Sequence, residues 1–347
     1  MVTRIGLDLG YANITLSDSH AQIYREPSIA LVYKEPRADA RRTISVGSSA
    51  MDAGAEGVNV SDGVLVRPFK NGLLFDQQLT REIIHNAISA LGECEKIRCV
   101  VGVPSDFLAK QEREIAAMLT EAGVTTSMFV SRPVAALIGA GYSPAMSVIS
   151  VNVGALSTEI AVMHKGEVIL TARENIGGED FDKTVKQYIF DQGDVSVSLS
   201  VAKAIKEKLG AVWKGRPNDT IDIEGTLSLT GNVLKMTLAT EDIVGVFEEP
   251  LQRLMMAIVS TVKKIPSDAV EAILENGIVL TGGGAELYGL ETLMSKVLGM
   301  SVTKPEFPID CVAMGLSRIN SFVPLNVKAG GKNITSKLAD YYENAKK

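Results

Sequence analysis

The chain has 347 residues, of which 46% are apolar and 22% are charged, a composition that is typical of globular domains and excludes a disordered, collagenous or coiled-coil protein. Its 35 lysines and arginines stand against 41 aspartates and glutamates, a net charge of −6 without a basic stripe, which excludes nucleic acid as the main partner. The length predicts about two domains, each large enough for a sizeable core.

The cysteines and the N-terminus indicate the compartment. Three cysteines in so long a chain do not make a disulfide framework and favour a reducing environment. The N-terminus runs directly into a strand pattern without the features of a signal peptide. No window approaches the roughly 18 uninterrupted apolar residues that suggest a membrane span. We therefore expect a cytoplasmic protein.

Strand and helix patterns alternate along the chain, which predicts an α/β fold. Strand patterns occur at Ile5 to Leu16 (with a tight turn), Arg98 to Val103, Val148 to Val162 (with a tight turn), Leu227 to Leu238 (a hairpin around Gly231-Asn232) and Ile278 to Leu280. Helices are predicted at Leu79 to Leu91, from a cap at Ser105 to Gly123, from Pro133 to Gly139 or Gly141, and at Ile243 to Ile265, where Pro250 should kink or divide the helix.

The first strand segment has a similar counterpart near the middle of the chain. Ile5-Gly6-Leu7-Asp8-Leu9-Gly10 aligns with Ile149-Ser150-Val151-Asn152-Val153-Gly154, and each places a short polar residue two positions before a glycine. The match predicts a duplicated α/β domain with a boundary at Ser143-Pro144-Ala145 and a shared cleft. The alternative is a chance likeness between two hairpins.

Three glycine-containing turns are candidate phosphate-binding loops. Backbone N–H groups in such a turn can approach an anion closely, and a carboxylate at the end of the preceding strand can hold Mg²⁺ through its water molecules. The alternative for the third turn is a tight connection between strand and helix. The turns comprise Asp8, Gly10, Tyr11, Ala12 and Asn13; Gly154, Ala155, Leu156, Ser157 and Thr158; and Thr281 to Glu286.

Other chemical motifs fail on inspection of the sequence. Gly210 and Gly215 have the spacing of a P-loop, but Arg216-Pro217 stand where Lys-Ser/Thr is required. Cys94 and Cys99 have no second pair with which to hold zinc. No Ser/His/Asp or Cys/His arrangement stands out.

The order of the loops resembles the actin-like ATPase superfamily, and specifically the MreB family of bacterial actins, from about Ile5 to Ile319. The resemblance implies two α/β domains of four subdomains around a nucleotide cleft, ATP or ADP with Mg²⁺ as cofactors, and protofilaments built by end-to-end contacts. The matching segments are Ile5 to Asn13, Arg25 to Ser28, Val66 to Gly72, Val101 to Pro104, Ala135 to Gly139, Asn175 to Gly178, Ile205-Lys206 and Leu280 to Gly284.

The resemblance also implies domain boundaries and roles for single residues. Domain I would cover 1–144, with a smaller subdomain IB inserted at about 27–75, and would be completed by about 318–347. Domain II would cover 145–317, with a smaller subdomain IIB inserted at about 180–240. Asp8 would hold Mg²⁺ through water. The phosphates would contact Asp8, Gly10, Tyr11, Ala12, Asn13, Gly154, Ala155, Ser157 and Thr158, and the nucleoside would contact Lys206, Gly282, Gly283 and Gly284.

Several positions depart from the family pattern. Arg132 stands where the family has a glutamate that positions the attacking water, and Asn152 stands where the second loop begins with an aspartate. Tyr11 replaces a small threonine, Ala155 and Leu156 replace glycines, and Lys203 replaces a glutamate on the adenine-ribose side. We therefore predict weak nucleotide binding or slow hydrolysis. The alternative is that Glu159 or Asp180 compensates and hydrolysis is ordinary.

The resemblance implies a filament protein of cell shape or intracellular organisation. Its partners would be copies of itself and other MreB paralogues. The alternative is a non-polymerising, nucleotide-dependent clamp or assembly factor of the same superfamily, and a sugar kinase of this fold is a third interpretation. Membrane association stays open: the loop Gly92 to Lys96 is short and charged, and the tail Ile334 to Lys347 is either a substitute anchor or a frayed surface helix.

Overall fold

The structure is a computed structural model that describes residues 2–20, 22–34, 41–55, 63–70, 73–324 and 334–346. Asn71 and Gly72, which belong to one of the family-like segments, lie outside the described residues. Parts of the expected subdomain IB (35–40 and 56–62) and the last residue of the tail, Lys347, also lie outside them.

Strands and helices alternate as the sequence predicts. The strands are β1 (Val2–Leu9), β2 (Asn13–Asp18), β3 (Ile23–Pro27), β4 (Ala30–Lys34), β5 (Arg41–Val46), β6 (Gly63–Val66), β7 (Phe69–Lys70), β8 (Leu73–Leu74), β9 (Lys96–Val103), β10 (Val124–Ser131), β11 (Val148–Val153), β12 (Thr158–His164), β13 (Glu167–Glu174), β14 (Val195–Ser196), β15 (Thr220–Leu227), β16 (Val233–Ala239), β17 (Ile278–Thr281) and β18 (Val302–Thr303). The helices are α1 (Ser48–Ala55), α2 (Gln77–Ser89), α3 (Ala109–Glu121), α4 (Arg132–Gly139), α5 (Gly178–Gly193), α6 (Leu199–Leu209), α7 (Thr240–Ile243), α8 (Glu248–Val262), α9 (Ser267–Asn276), α10 (Leu290–Leu298), α11 (Cys311–Phe322) and α12 (Ile334–Ala345), with a 3-10 turn at Gly283–Glu286.

The chain divides into two compact units. Unit 1 comprises Met1–Met146, Lys165–Val168 and Asp310–Lys347, and unit 2 comprises Ser147–His164 and Ile169–Ile309. The first division lies beside the predicted boundary at 144/145, whereas the chain returns to unit 1 earlier than the expected position near 318. The division into four subdomains stays a prediction.

Unit 1 is built on a sheet with the strand order β10-β9-β1-β2-β3, in which β1 is parallel to β9 and antiparallel to β2. Side chains of β1 alternate between the two faces of the sheet. Ile5 and Leu7 are fully buried in a core shared with α2 and α3. Gly6 faces α11, where a Cβ atom would lie 2.5 Å from the Ser317 nitrogen. The Ile-Gly-Leu-Asp pattern therefore reflects a sheet covered on both faces.

Helices α4 and α11 cross with their backbones in contact. A Cβ atom at Gly139 would overlap the Cys311 carbonyl, and one at Gly315 would overlap the Ala135 carbonyl. The Arg318 Nη1 atom also donates to the carbonyl oxygens of Ile138 and Gly139, at 2.9 Å each. This crossing fixes the position of α4.

Unit 2 is built on a sheet with the strand order β13-β12-β11-β17-β18, beside a smaller sheet in the order β14-β15-β16. Residues Ile149, Val151, Ile160 and Leu280 are fully buried in its core. A hairpin around Gly231-Asn232 is confirmed by the antiparallel pairing of β15 and β16, but its first strand ends at Leu227, where the predicted hairpin began. In unit 1, a second small sheet has the order β5-β4-β6.

Two predicted helix boundaries are wrong. Ser105 does not cap α3, because the Phe107 nitrogen donates to the Pro104 carbonyl in a turn and the helix begins at Ala109. The helix expected from Ile243 to Ile265 begins instead at Glu248 as α8, and of the expected range only Ile243 belongs to α7. Pro250 lies in the first turn of α8, where a missing N–H group leaves no helical hydrogen bond unmade, so the break precedes the proline.

The C-terminal tail is more than a frayed surface helix. Leu338 of α12 is 0% exposed, and the ring of Tyr342 packs edge-on against Phe322 of α11 with 5.6 Å between centroids. Among the described residues, no helix combines the length and the hydropathy needed to cross a membrane.

The three cysteines lie in different environments. Cys99 of β9 and Cys311 of α11 are buried, whereas Cys94 is partly exposed. Burial raises the pKa of the Cys99 thiol above its ordinary range. Burial, assisted by the carboxylate of Asp310, raises the pKa of Cys311 to about 11.

Candidate functional site

The first predicted loop is the turn of the β1–β2 hairpin in unit 1. The register places Asp8 opposite Thr15 and leaves Gly10 to Ala12 as the turn. Ser28 holds both ends of the turn, since its Oγ atom donates to the Gly10 carbonyl at 2.7 Å and its nitrogen donates to the Ala12 carbonyl at 2.9 Å. A Cβ atom at Gly10 would lie 2.5 Å from the Asn13 carbonyl oxygen, so this position requires glycine.

Arg67 holds the middle of the same turn. Its Nη1 atom donates to the carbonyl oxygens of Tyr11 and Ala12 at 3.1 and 3.2 Å. Its guanidinium also lies 4.9 Å from the centroid of the Tyr11 ring, in a cation–π arrangement. The tyrosine that departs from the family pattern thus stacks on the arginine that holds the loop. Ser28 and Arg67 lie in family-like segments, but nothing in the sequence assigned them this role.

Arg132 forms an ion pair with Asp8. The Arg132 Nε atom donates to Asp8 Oδ1 at 2.7 Å, and its Nη2 atom donates to the Leu9 carbonyl at 2.6 Å. The two side chains are only 10% and 19% exposed, respectively. Arg132 is the first residue of α4, which follows β10 directly. Its guanidinium therefore lies at the end of β1, beside Asp8.

The residues at Asp8 do not fit the Mg²⁺ ion that the resemblance implies there. Mg²⁺ is held by carboxylate oxygens, water and substrate phosphates, but here the carboxylate already binds a cationic guanidinium that would repel a second cation. Within the described ranges, no group of three or more His, Cys, Asp or Glu residues is arranged to hold a metal ion. The ion pair therefore argues against the expectation that Asp8 carries Mg²⁺ through water, and that role stays a prediction.

The second predicted loop is the turn of the β11–β12 hairpin in unit 2. The Gly154 nitrogen donates to the Ser157 carbonyl at 2.9 Å, and Thr158 Oγ1 donates to the Ile176 carbonyl at 2.8 Å. The start of α5 closes over this turn, because the nitrogens of Gly178 and Glu179 donate to the carbonyl oxygens of Gly154 and Ala155, respectively, at 2.9 and 2.8 Å.

Asn152 makes a neutral contact. It lies in register with Thr281 of the parallel strand β17, and Thr281 Oγ1 donates to its Oδ1 atom at 3.3 Å. Both residues are buried. Glu159, which lies opposite Asn152 in the hairpin, is buried as well.

The glycine run after β17 is explained in part by packing. Gly282 has a φ of +83°, a conformation that favours glycine, and a Cβ atom there would lie 2.8 Å from Asn152 Oδ1. A Cβ atom at Gly284 would overlap the Val153 side chain, whereas one at Gly283 would lie 3.7 Å from its nearest neighbour. Gly282 and Gly284 therefore fit the alternative of a tight turn, whereas packing does not require glycine at position 283.

Lys206 is joined to a carboxylate that the sequence analysis missed. Its Nζ atom lies 2.7 Å from Asp182 Oδ1 and donates to the Gly178 carbonyl at 2.9 Å. Burial raises the pKa of Asp182, and the positive charge of Lys206 opposes that rise. Lys206 thus ties α6 to the first turns of α5. Lys203 is exposed and pairs with Glu207 at 3.7 Å.

The site residues fall into two sets, one in each unit. Unit 1 brings together Asp8, Gly10, Tyr11, Ala12, Asn13 and Arg132; unit 2 brings together Asn152, Gly154, Ala155, Ser157, Thr158, Lys206, Gly282, Gly283 and Gly284. Asp180, one of the two residues that were considered as compensating acids, accepts from the Gly177 nitrogen at 2.9 Å and caps α5.

Comparisons with known proteins agree with this architecture. A family model described as MreB/Mbl protein matches residues 2–326. The cell shape-determining protein Mbl of Bacillus cereus is 26% identical over 90% of this chain and 93% of its own length. The cell shape-determining protein MreB of Escherichia coli is 27% identical over 90% of this chain and 91% of its own length.

Solved structures share the fold. MreB5 of Spiroplasma citri bound to ADP has a TM-score of 0.86 and 19% identity, covering 95% of this chain and 99% of that chain. The MamK double helical filament has a TM-score of 0.78 and 20% identity, covering 93% of this chain and 100% of that chain. The predicted actin-like fold is therefore confirmed.

Proposed function

Because this chain belongs to the MreB/Mbl protein family, we propose that it is a bacterial actin homologue that binds ATP or ADP and assembles into cytoskeletal filaments. The observation that carries the proposal is the pair of hairpin turns, one in each unit, on a fold shared with a filament and with an ADP-bound protein. Its partners would be further copies of this chain and, in mixed filaments, other MreB paralogues.

The turns support nucleotide binding through their hydrogen bonds. Carbonyl oxygens repel phosphate, and in each turn they are engaged by donors of the protein itself: Ser28 and Arg67 in unit 1, and the first amides of α5 in unit 2. N–H groups and helix N-termini are then the parts of these segments suited to an anion. We propose that the turn in each unit is suited to contact phosphate, and we assign part of the nucleoside to Gly283.

The proposal includes slow or absent hydrolysis. A general base must accept a proton from water, and the Arg132 guanidinium, which is permanently protonated, cannot do so. The Asn152 amide is no better a base. Asp180 is engaged as the cap of α5, which argues against compensation by that residue.

The cellular role follows from the relatives. The relatives from Bacillus cereus and Escherichia coli are cell shape-determining proteins, and we propose for this chain a role in cell shape or intracellular organisation in the cytoplasm. The alternative, a monomeric nucleotide-dependent clamp, finds no specific support in either unit.

High-speed pelleting with ATP, with ADP and without nucleotide tests this function, together with phosphate release measured beside Escherichia coli MreB. We expect filaments in the pellet and phosphate release well below that of the relative. Phosphate release equal to that of the relative would overturn the hydrolysis part. A protein that stays monomeric at every concentration, alone and mixed with a paralogue, would overturn the filament part.

A further inference from the structure

We infer that this chain binds its nucleotide without a divalent cation, because the Arg132 guanidinium occupies the carboxylate that would receive the ion. The inference rests on the nucleotide binding proposed above. It concerns the cation at the end of β1: a built-in arginine is paired with the carboxylate to which an exchangeable metal would bind.

The first argument is the geometry of the Asp8–Arg132 pair. Arg132 bonds to Asp8 Oδ1 through Nε at 2.7 Å and to the Leu9 carbonyl through Nη2 at 2.6 Å. One guanidinium thus engages two neighbouring oxygens at the end of β1, both of the kind that a hard cation seeks. Because the side chains are largely buried, solvent screens this ion pair less than a surface pair.

The second argument is the fixed position of the helix that carries Arg132. Gly139 and Gly315 bring the backbones of α4 and α11 into contact, and Arg318 holds the C-terminal end of α4 through two carbonyl oxygens. The guanidinium therefore extends from a rigid support. A metal ion would have to displace it without any helix movement to help.

The third argument is the equivalent position in the other hairpin. Asn152 lies two residues before the turn glycine of unit 2, as Asp8 does in unit 1, and its oxygen accepts from Thr281. Mg²⁺ bound beside phosphates is usually held by one or two carboxylates. Of the two equivalent positions, the first has its carboxylate paired with Arg132 and the second holds an amide instead of a carboxylate.

The test is a fluorescence titration of the full-length protein with N-methylanthraniloyl-ADP, in excess Mg²⁺ and in EDTA. We expect the two Kd values to agree within about threefold. A Kd that rises about tenfold or more in EDTA would overturn the inference while leaving the proposed nucleotide binding intact. Absence of binding in both buffers would remove the proposed nucleotide binding itself, and with it the inference.

A variant identifies the responsible residue. Arg132→Glu combined with Asn152→Asp puts a carboxylate in place of the α4 cation and another in place of the amide of the second hairpin. We expect the Kd of this double variant to become at least about tenfold weaker in EDTA than in Mg²⁺. Arg81→Glu is the matched control, because Arg81 is an exposed arginine paired with Glu121 on the surface of unit 1, and its two Kd values should still agree.

Added carboxylates beside Asp8 can prevent folding, so Arg132→Gln is a second variant that removes the cation without adding charge. We expect Mg²⁺ alone, without nucleotide, to raise the Tm of a folded Arg132→Gln protein but not that of the wild type. A Tm shift by Mg²⁺ in the wild type as large as in the variant would overturn the inference, as would metal-independent binding by a folded double variant.

Discussion

The two hairpins have the same backbone register but give their equivalent polar residues different partners. In unit 1, Asp8 lies in register with Gly102 of the parallel strand, where a Cβ atom would lie 3.3 Å from Asp8 Oδ1. In unit 2, Asn152 lies in register with Thr281, which donates to it. Because Gly102 has no side chain to bond Asp8, the partner of Asp8 is Arg132 from a helix. Asn152, in contrast, is bonded by the Thr281 hydroxyl of the neighbouring strand.

The difference teaches that a repeated backbone does not fix the charge of a site. In unit 1 the carboxylate depends on Arg132, which is distant in sequence and lies on a helix held by close packing and by hydrogen bonds from Arg318. In unit 2 the amide depends on a neighbour that the sheet itself supplies. We therefore expect mutations around the unit 1 hairpin to lower the free energy of unfolding by more than mutations around the unit 2 hairpin, and to do so from more distant positions.

The largest loss of stability is expected at the crossing of α4 and α11 in unit 1. Gly315→Ala places a methyl group in the Ala135 carbonyl and should lower the free energy of unfolding by about 3 kcal/mol, because the helices must separate. Urea unfolding measures the change. Gly193→Ala is the control, since a Cβ atom there meets only a Val195 methyl at 4.0 Å and stability should be unchanged or slightly raised; equal losses in both variants would contradict the close crossing.

The next effect concerns the ion pair itself. Arg132→Gln leaves the largely buried Asp8 without its cation and should cost about 2 kcal/mol of unfolding free energy, somewhat less than a fully buried pair. Adding Asp8→Asn should recover part of that loss, because no unpaired charge then remains. Urea unfolding of the four proteins of this double-mutant cycle gives the coupling energy. Strict additivity of the two single changes would mean that the pair contributes no coupling.

The smallest effect is expected in unit 2. Asn152→Ala removes one neutral hydrogen bond at 3.3 Å and should lower the free energy of unfolding by about 1 kcal/mol. Thr281→Val, which removes the hydroxyl from the other side, is the paired change and should have a similar effect. If Asn152→Ala costs more than Arg132→Gln, the ranking of the two hairpins is wrong.

The sequence predicted the parts of the fold that local patterns determine. The alternation around Asp8 and Asn152 predicted both hairpins, and the Gly231-Asn232 turn predicted a third. The helix starting near Ser105 was misplaced because a turn after Pro104 uses the same polar residues as a cap. Local signals of this kind do not distinguish a cap from a turn.

The sequence predicted the members of the candidate site but not their pairing. Asp8 and Arg132 were each identified, yet their ion pair depends on the packing of α4, which involves the distant Gly315 of α11. Asp182 gave no signal, because an aspartate in a helix is ordinarily a surface residue and only the fold brings it to Lys206. Both ion pairs join residues that are far apart in the sequence or on different helices, so a local stretch of sequence cannot predict them.

The cysteine environments make the chain suited to single-site chemical labelling. Maleimide reacts with a thiolate, and burial keeps Cys99 and Cys311 protonated and shielded, whereas Cys94 is partly exposed just before β9. The unmodified sequence therefore offers one position for a fluorophore, without a fusion protein and without any engineered cysteine.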